Sequence, residues 1–174
     1  MINLQGDKIY LRSPEQRDAD LMYVWENNTN NWQVSNTIVP YSKFSLEQYL
    51  LSAHLDLFTN KQIRLMICTK NHDAVGCIDL FDFDPHHNRA GIGILIDEAQ
   101  QGNGFADDAL LTLINYCFRI LCLNQIYCSI GITNEKSLSL FKKHHFNLIG
   151  IRKAWNKISK NEFEDEYLLQ LIND

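Results

Sequence analysis

The segment Gln101-Gly102-Asn103-Gly104-Phe105-Ala106 has the residue types of a phosphate-binding loop. It lies between an apolar run typical of a buried strand and a long amphipathic stretch typical of a helix. Free N–H groups and the positive end of the dipole at a helix start attract anions, and glycines let the backbone approach a phosphate closely. A plain strand-to-helix turn with two glycines would look similar. The loop lacks the Gly-Lys-Ser/Thr sequence of a nucleoside-triphosphate loop and the third glycine of a dinucleotide fingerprint, which argues against ATP and NAD.

The sequence also contains residue types that bind metals, but their spacing does not predict a metal site. The five cysteines include no Cys-x-x-Cys pair, and most lie in apolar stretches, where a thiol behaves as a small hydrophobe. His86-His87 and His144-His145 are adjacent pairs, and adjacent side chains point to opposite faces of an extended chain. We therefore expect buried, reduced cysteines, solvated turn histidines and no bound metal.

Hydrophobic periodicity places the loop within a succession of strands and helices. Alternating or β-branched runs predict strands at residues 8–12, 64–69, 74–83, 91–96 and 126–132, followed by a hairpin of 147–155 and 162–171. Apolar stripes predict helices that begin after Asp18 and Ser45 as caps and that cover residues 104–121 and 135–144. The order describes an α/β (α+β) fold, with one mixed sheet of about six to seven strands flanked by about four helices, in a single domain over residues 1–174.

The composition is that of an ordinary globular protein. The 174 residues include 45% apolar and 21% charged residues, and the formal net charge is −5. No basic cluster suits a phosphate backbone, so nucleic acid is not an expected partner. The most membrane-like stretch, residues 109–118, is far shorter than the roughly 20 apolar residues of a membrane span, and the first residues lack a signal-peptide pattern. We expect a cytoplasmic protein without a membrane partner.

The glycine loop and its surroundings resemble the GNAT superfamily of acetyl-CoA-dependent N-acetyltransferases. The family's diagnostic pattern, Gln/Arg-x-x-Gly-x-Gly/Ala after the fourth strand, stands here as Gln101 to Ala106. Further landmarks follow in the family's order along essentially the whole chain: Leu11-Arg12, Asp18, Trp25, Val75-Gly76, Asp82-Phe83-Asp84, Asn88-Arg89-Ala90, Asn134 and Ser137 to Phe146. Within the family, the ribosomal-protein N-terminal and the spermidine/diamine acetyltransferases look most similar.

The resemblance implies the GNAT fold, acetyl-CoA as cosubstrate and a set of cofactor-binding residues. The backbones of Ile94 and Ile96 would run beside the pantetheine arm like an added strand. The amides of residues 102–106, in the motif that Gln101 begins, would hold the pyrophosphate. Asn134 would help to hold the cofactor near the acetyl group, and it is also a suitable N-cap for the helix that follows.

The implied reaction, direct attack of a primary amine on the thioester, makes three chemical demands. An alkylamine with a pKa near 10.4 is about 0.04% neutral at pH 7, so the loss of its proton costs roughly 4 to 5 kcal/mol. A base is therefore expected. The oxyanion that forms needs N–H donors, each worth about 3 to 4 kcal/mol, and the departing CoA thiolate needs a proton.

The sequence departs from the family at two positions that often meet these demands. Many members protonate the thiolate with a tyrosine, but the matching residue is Phe141, whose ring donates no proton. Many relatives carry a glutamate on the fourth strand, where this chain has Gly91. The remaining candidates for the base are Asp79 and Asp82 on the third strand of the sheet. Asp79 lies in an apolar run and would suit this role if it pointed into a cleft. The alternative is that Asp79 faces solvent and that Asp82 caps the next turn.

Two functions of different classes are compatible with these features. The first is an N-acetyltransferase whose acceptor is a polyamine, a protein N-terminus, an amino sugar or another small amine. The acidic balance suits a cationic acceptor, but the expected acceptor wall, residues 32–44, lacks the acidic cluster expected for a polyamine, although Glu47 remains. The second function is an acyl-CoA-binding or regulatory module that has lost catalysis, as Phe141 and Gly91 would explain. Exposed strand edges in the final hairpin favour a homodimer.

Overall fold

The computed structural model describes residues 4–35, 37–52 and 56–173. The elements follow in the order β1 (Ile9–Arg12), α1 (Ala19–Glu26), α2 (Thr29–Ser35), α3 (Lys43–Ser52), α4 (Leu57–Asn60), β2 (Ile63–Thr69), β3 (Ala74–Asp84), β4 (Arg89–Ile96), α5 (Phe105–Arg119), β5 (Gln125–Gly131), α6 (Glu135–Lys143), β6 (Asn147–Ser159) and β7 (Glu162–Ile172). Single 3₁₀ turns precede α1 at Gln16–Asp18 and α5 at Glu98–Gln100.

The seven strands form one sheet in the order β1-β2-β3-β4-β5-β7-β6. Neighbouring strands are antiparallel except β4 and β5, which run parallel. Helix α5 connects these two strands, because a parallel pair requires a crossover that returns the chain to the same end of the sheet. The predicted mixed α/β sheet is confirmed. The structure describes six α-helices rather than about four, since the sequence pattern does not reveal α2 and α4.

Helix α5 packs on one face of the sheet because its apolar side chains recur every three or four residues. Leu110 and Leu113 are completely buried in the main core. Burial of a leucine side chain contributes about 1.5–3 kcal/mol, so this stripe anchors α5 and the glycine loop that precedes it. Helix α1 covers the opposite face over β2 and β3, where Trp25 packs. The remainder of that face opens into a cleft.

The helical region between β1 and β2 differs from its prediction. Residues 29–35 form α2, where the sequence predicts an asparagine-rich turn and then a segment without a clear period. Helix α3 begins before Ser45, and the Ser42 hydroxyl is the cap, because it accepts a hydrogen bond from the Ser45 N–H at 3.0 Å. Leu57 lies in the separate helix α4, and Ala53 lies outside the described residues. Such short helices depend on tertiary packing more than on their own periodicity.

Asp18 is buried, but it does not cap α1 as predicted. Its carboxylate accepts hydrogen bonds from Arg12 at 2.7 and 2.8 Å and from the N–H of Glu15 at 2.7 Å. The buried charge is therefore paired, and the pair ties β1 to the start of α1. The indole N–H of Trp25 donates to Asp97 at 2.7 Å, so α1 also holds the segment that leads from β4 to the glycine loop.

All five cysteines lie in the described part of the chain and are free. Cys68, Cys77, Cys117 and Cys128 are buried, and burial raises the pKa of the last three to about 12, which keeps these thiols protonated. The expectation of buried, unpaired thiols is confirmed for these four, whereas Cys122 is exposed. Over the described residues, no helix is long and apolar enough to cross a membrane.

Candidate active site

The centre of the site is a gap between β4 and β5. The two strands pair from Arg89 to Gly91 and from Gln125 to Tyr127, and they diverge beyond these residues. A cavity of about 810 Å³, the large cleft, opens on the face of the sheet that α1 and α3 border. A cavity of about 590 Å³, the small cavity, opens beside the glycine loop. The residues that line both cavities are Ile94, Leu95, Asn134 and Ser137. Two ligands can therefore meet in the gap from opposite sides.

The glycine loop has the backbone conformation that the phosphate prediction requires. Gly102 and Gly104 have φ values of +82° and +80°, in the left-handed region that other residues rarely adopt. Gly104 is the N-cap of α5 and contributes no capping side chain, so the N–H groups at the start of α5 are available to an anion. The loop residues Gln101, Gly102, Gly104, Phe105 and Ala106 line the small cavity.

Two lysines that sequence reasoning missed flank this loop. The Lys8 ammonium donates to the backbone carbonyl of Asn103 at 3.0 Å, and the Lys136 ammonium donates to the Gln101 side chain at 3.1 Å. The Asn103 side chain turns inward and donates to the Gln100 carbonyl at 3.0 Å, so it shapes the loop. The lysines bring positive charge to the loop from the position just before β1 and from α6. Because Lys8 lies 95 positions from Asn103 in sequence, no local pattern could reveal this contact.

The backbone of β4 presents hydrogen-bonding groups to the gap. N–H and C=O groups of successive residues in a strand point alternately to its two sides. The Asp97 N–H donates to the Val75 carbonyl at 2.9 Å, which directs the backbone groups of odd-numbered β4 residues toward β3. Those of Ile94 and Ile96 therefore point into the gap, where the Ile96 carbonyl accepts from the Gln101 side chain at 3.4 Å. Ile94 is thus placed to bind an extended ligand like an added strand.

Asn134 and Phe141 reach the gap from α6. The Asn134 side chain caps α6 by accepting from the Ser137 N–H at 3.2 Å, as predicted, and Asn134 also lines both cavities. Phe141 lines the large cleft but is only 3% exposed, with its ring edge-to-face against Phe146 at a centroid distance of 5.0 Å. Phe141 therefore combines a core packing role with a position beside the gap.

The absence of a glutamate at position 91 has a steric explanation. A Cβ atom on Gly91 would lie 2.3 Å from the ring of Phe81, which is its partner on β3. The Phe81 ring also contacts Tyr127 edge-to-face, with centroids 6.4 Å apart. Aromatic rings thus cover the strand at the point where many relatives carry an acid, so a base must come from another position.

Asp79 lines the large cleft, but an arginine engages its carboxylate. Arg64 on β2 donates to both carboxylate oxygens, at 2.7 and 2.8 Å, and also pairs with Glu26 on α1. Burial disfavours the charged guanidinium, but the negative charges of Asp79 and Glu26 outweigh it and raise the pKa of Arg64 above its usual range. The Arg64 guanidinium therefore occupies both oxygens of the Asp79 carboxylate.

Asp82 lines the same cleft in a different setting. The pairing of β3 with β4 shifts between Phe81 and Asp84, and Asp82 has a φ of +49° at this bulge. Asp82 is exposed, and the Tyr127 hydroxyl donates to its carboxylate at 3.4 Å. The following turn is capped by Asp84, which accepts from the N–H groups of residues 86 and 87 at 3.0 Å, and not by Asp82. The predicted alternative role of Asp82 as a turn cap is therefore wrong.

The large cleft is acidic, and most of its charges come from strands distant in sequence. Among the described residues, five carboxylates and two guanidinium groups line it: Glu26, Asp79, Asp82, Glu164, Glu166, Arg64 and Arg152. Of the predicted acceptor wall, Thr37 and Tyr41 line the cleft, and the side chains of residues 33–36 lie outside the described part. Within the described residues, no group of three or more His, Cys, Asp or Glu side chains is placed to hold a metal ion.

Comparison with known proteins agrees with this geometry. A family model described as an acetyltransferase (GNAT) domain matches residues 8–147. The chain is 28% identical to the uncharacterized N-acetyltransferase p20 of Bacillus licheniformis, over 99% of this chain and 97% of that protein. It is 26% identical to the spermidine N(1)-acetyltransferase of Vibrio cholerae, over 81% of this chain and 80% of that protein.

The fold is also that of a solved relative. The structure of spermidine N-acetyltransferase from Vibrio cholerae in complex with CoA and spermine matches with a TM-score of 0.85 and 23% identity, over 96% of each chain. The predicted GNAT fold and N-acetyltransferase class are confirmed. Since the family model spans most of the chain, including the glycine loop, the gap and Asn134, the chain belongs to the GNAT acetyltransferase family.

Proposed function

We propose that this N-acetyltransferase transfers the acetyl group of acetyl-CoA to the primary amine of a cationic acceptor, by direct attack in a ternary complex. The observation that carries the proposal is the meeting of two cavities in the gap between β4 and β5. One cavity has the features of a phosphate site, and the other carries five carboxylates against two guanidinium groups among its described lining residues. A thioester held in the gap is accessible to an amine that enters from the opposite side.

Acetyl-CoA fits the small cavity through its pyrophosphate and its pantetheine arm. The start of α5 and the two left-handed glycines supply N–H groups, and Lys8 and Lys136 add positive charge beside them. The backbone groups of Ile94 that point into the gap suit the amides of the pantetheine arm. Asn134 lines both cavities and would lie near the acetyl end of the cofactor.

A cationic acceptor fits the large cleft because of its charge. Residues 32–44 lack the acidic cluster that is expected for a polyamine site. In the structure the carboxylates come instead from α1, β3 and β7. The Vibrio cholerae relatives are named for spermidine, and one of their structures holds spermine. We therefore place polyamines first among the acceptors, ahead of peptide N-termini and amino sugars.

The base in this reaction is Asp82, because Arg64 already engages Asp79. The ammonium group loses a proton to the Asp82 carboxylate, directly or through a water, and the free amine attacks the thioester carbon. The C–N bond forms, and the resulting oxyanion accepts hydrogen bonds from the N–H groups of β4 that face the gap. The attacking nitrogen, which now carries a positive charge, gives up its second proton as the C–S bond breaks, and this proton reaches the departing sulfur through water, since Phe141 has none to give.

An amine panel tests the proposal against the alternative of a binding module. Thiol release from acetyl-CoA is measured with polyamines, peptides with free N-termini and amino sugars, beside a binding isotherm for CoA. We expect saturable thiol release that is fastest with a polyamine. CoA binding without turnover on any amine would instead favour the module, which the buried Phe141 and the covered Gly91 support.

Phe141→Tyr tests whether the thiolate leaves without a protein donor. The change adds a hydroxyl with little change in ring volume, and the rate should rise or hold if the hydroxyl reaches the gap. A hydroxyl left unpaired against Phe146 would lower the free energy of unfolding by about 1–3 kcal/mol. Steady-state rates and thermal unfolding are measured beside Phe163→Tyr, a control at an exposed position of β7. A fast wild type combined with a slower Phe141→Tyr enzyme would refute the missing-donor interpretation.

We also propose that the protein forms a homodimer through the β6 edge. Within the described residues, β6 lies at the end of the sheet and exposes Leu148, Ile149 and Ile151. An apolar edge strand favours pairing with a second strand. Light scattering should give the mass of two chains or more, and Ile151→Lys should reduce it. The mass of one chain at all concentrations would contradict the proposal.

We also propose that the reaction takes place in the cytoplasm. The unpaired cysteines suit that reducing compartment.

A further inference from the structure

The bulge in β3 changes the direction of the Asp82 side chain. Asp79 and Phe81 both lie on the face of the sheet that the cleft exposes. Their partners on β4 are the two glycines of that face. In a regular strand Asp82 would point to the opposite, core face, as Phe83 does after the bulge. The shifted register and the φ of +49° place Asp82 at the large cleft instead. Bulges that redirect a side chain in this way are frequent beside active sites.

Tyr127 contacts Asp82 in this position. It lies directly opposite Gly91 on β5, at the last paired position before the gap opens. Its ring contacts Phe81 edge-to-face, and its hydroxyl donates to the Asp82 carboxylate at 3.4 Å. Both Tyr127 and Asp82 line the large cleft. The hydroxyl therefore connects β5 to the redirected carboxylate across the strand where many relatives carry a glutamate.

We propose that Tyr127 is a positioning residue that holds Asp82 at the cleft by a hydrogen bond from its hydroxyl, so that the pair takes the place of the glutamate missing at position 91. This inference rests on the proposed acetyl transfer and on Asp82 as its base. Tyr127 acts through Asp82 by donating a hydrogen bond and does not exchange a proton with the substrate. The aromatic contact with Phe81 fixes the direction of the hydroxyl.

The charges around the pair leave Asp82 as the main electrostatic partner of Tyr127. Burial and then the negative charge of Asp82 raise the pKa of Tyr127 above its usual value. Arg89 from β4 and Arg152 from β6 act in the opposite direction and are outweighed. Each arginine also has an ion pair of its own. Arg89 pairs with Asp84 at 3.3 Å, and Arg152 pairs with Glu166 at 2.8 Å. The other carboxylates of the cleft have different partners. Arg64 pairs with both Asp79 and Glu26, and the Thr133 hydroxyl donates to Glu164.

Tyr127→Phe tests the hydrogen bond while keeping the ring. Without the hydroxyl, the Asp82 carboxylate loses a hydrogen-bond donor, and a hydrogen bond to the charged form of an acid favours that form. We expect the acidic limb of the kcat–pH profile to move up by about half a pH unit or more, which lowers kcat roughly threefold on that limb. Tyr116→Phe, the same change on α5 outside both cavities, should leave the limb in place. An unmoved limb in Tyr127→Phe would overturn the inference.

A second measurement examines the same pair without any need for activity. 3-Fluorotyrosine at position 127 ionises at lower pH than tyrosine, and its ¹⁹F signal can be titrated in the folded protein. Because Asp82 raises the pKa of Tyr127, Asp82→Asn should lower that midpoint by about half a unit or more. Asp73→Asn, which removes the same charge just before the other end of β3, should not. An equal midpoint in wild type and Asp82→Asn would overturn the inference.

The two measurements separate this inference from the proposed function. A wild-type protein that acetylates no amine would remove the proposed function, and the fluorine titration would still decide whether Tyr127 and Asp82 interact. If the wild type turns over normally and Tyr127→Phe has the same acidic limb as the wild type, the proposed function stands and only the role of Tyr127 is contradicted.

Discussion

Asp82→Asn is expected to reduce kcat at pH 7 by about 100-fold or more, with a smaller reduction as the pH approaches the range where the amine loses its proton unaided. The amide cannot accept the proton, whereas the rest of the site is unchanged. Asparagine is nearly isosteric and, like aspartate, tolerates the left-handed φ of +49° found here. The loss should therefore reflect chemistry rather than folding. The measurement is kcat against pH with the best amine of the panel.

Asp79→Asn is the matched comparison on the same strand. It removes a charge that Arg64 engages, so we expect a lower free energy of unfolding and a loss of rate that does not change with pH. If Asp79→Asn shows the pH-dependent loss and Asp82→Asn does not, the assignment of the base is wrong. A pH-independent loss in Asp82→Asn would mean that this residue positions the acceptor only.

Gly104→Val is expected to weaken CoA binding by at least tenfold, which corresponds to about 1.4 kcal/mol. The branched side chain would stand at the N-cap of α5, where we propose that the phosphate oxygens of the cofactor bind. Its Cβ would also lie 2.9 Å from the Lys8 ammonium, so that lysine would be displaced from the loop. The measurement is a binding isotherm for CoA on the folded protein.

The backbone at Gly104 predicts a second effect of the same change. A φ of +80° disfavours residues with a Cβ by roughly 1–2 kcal/mol, which a protein with a typical stability of about 5–15 kcal/mol survives. Gly150→Val is the control, because a Cβ there meets no atom within 4 Å and Gly150 lies on the edge strand β6. Unchanged CoA affinity in a folded Gly104→Val protein would remove the loop from the cofactor site.

The loop and the helix start that we assign to the cofactor were predictable from the sequence because their residues are local. The 3₁₀ turn Glu98–Gln100 separates the loop from β4, the loop leads straight into α5, and Asn134 directly precedes α6. Strands and long helices of the second half have clear periods, so their order and the mixed sheet could be predicted. The positions of Lys8 and Lys136 beside the loop could not be predicted, because a single lysine forms no sequence pattern and its position depends on the folded sheet.

The acceptor side could not be predicted because neighbouring strands bring its residues together from distant parts of the sequence. Arg64 and Asp79 are cross-strand partners, and nothing in the local sequence of either residue reveals the pair. The bulge that redirects Asp82 and the hydroxyl of Tyr127 are likewise tertiary features. Short helices such as α2 lack an apolar stripe and depend on packing against the rest of the protein.

His145 shows how the structure can account for a departure from the family. The family usually has a glycine before Phe146, and the sequence alone gives no reason for the histidine. His145 has a φ of +65° after the end of α6, which is the left-handed conformation that glycine adopts most easily. The family's glycine is thus explained by the backbone, and this chain adopts the same conformation with a histidine.

The most direct test of the central claim is a set of initial rates over a grid of acetyl-CoA and amine concentrations. The claim is that both substrates occupy their cavities together and react across the gap between β4 and β5. It predicts N-acetylated amine as the product and double-reciprocal lines that intersect, because the ternary complex must form before transfer. Parallel lines, which indicate a covalent acetyl-enzyme in a ping-pong scheme, would contradict it, as would the absence of turnover with every amine.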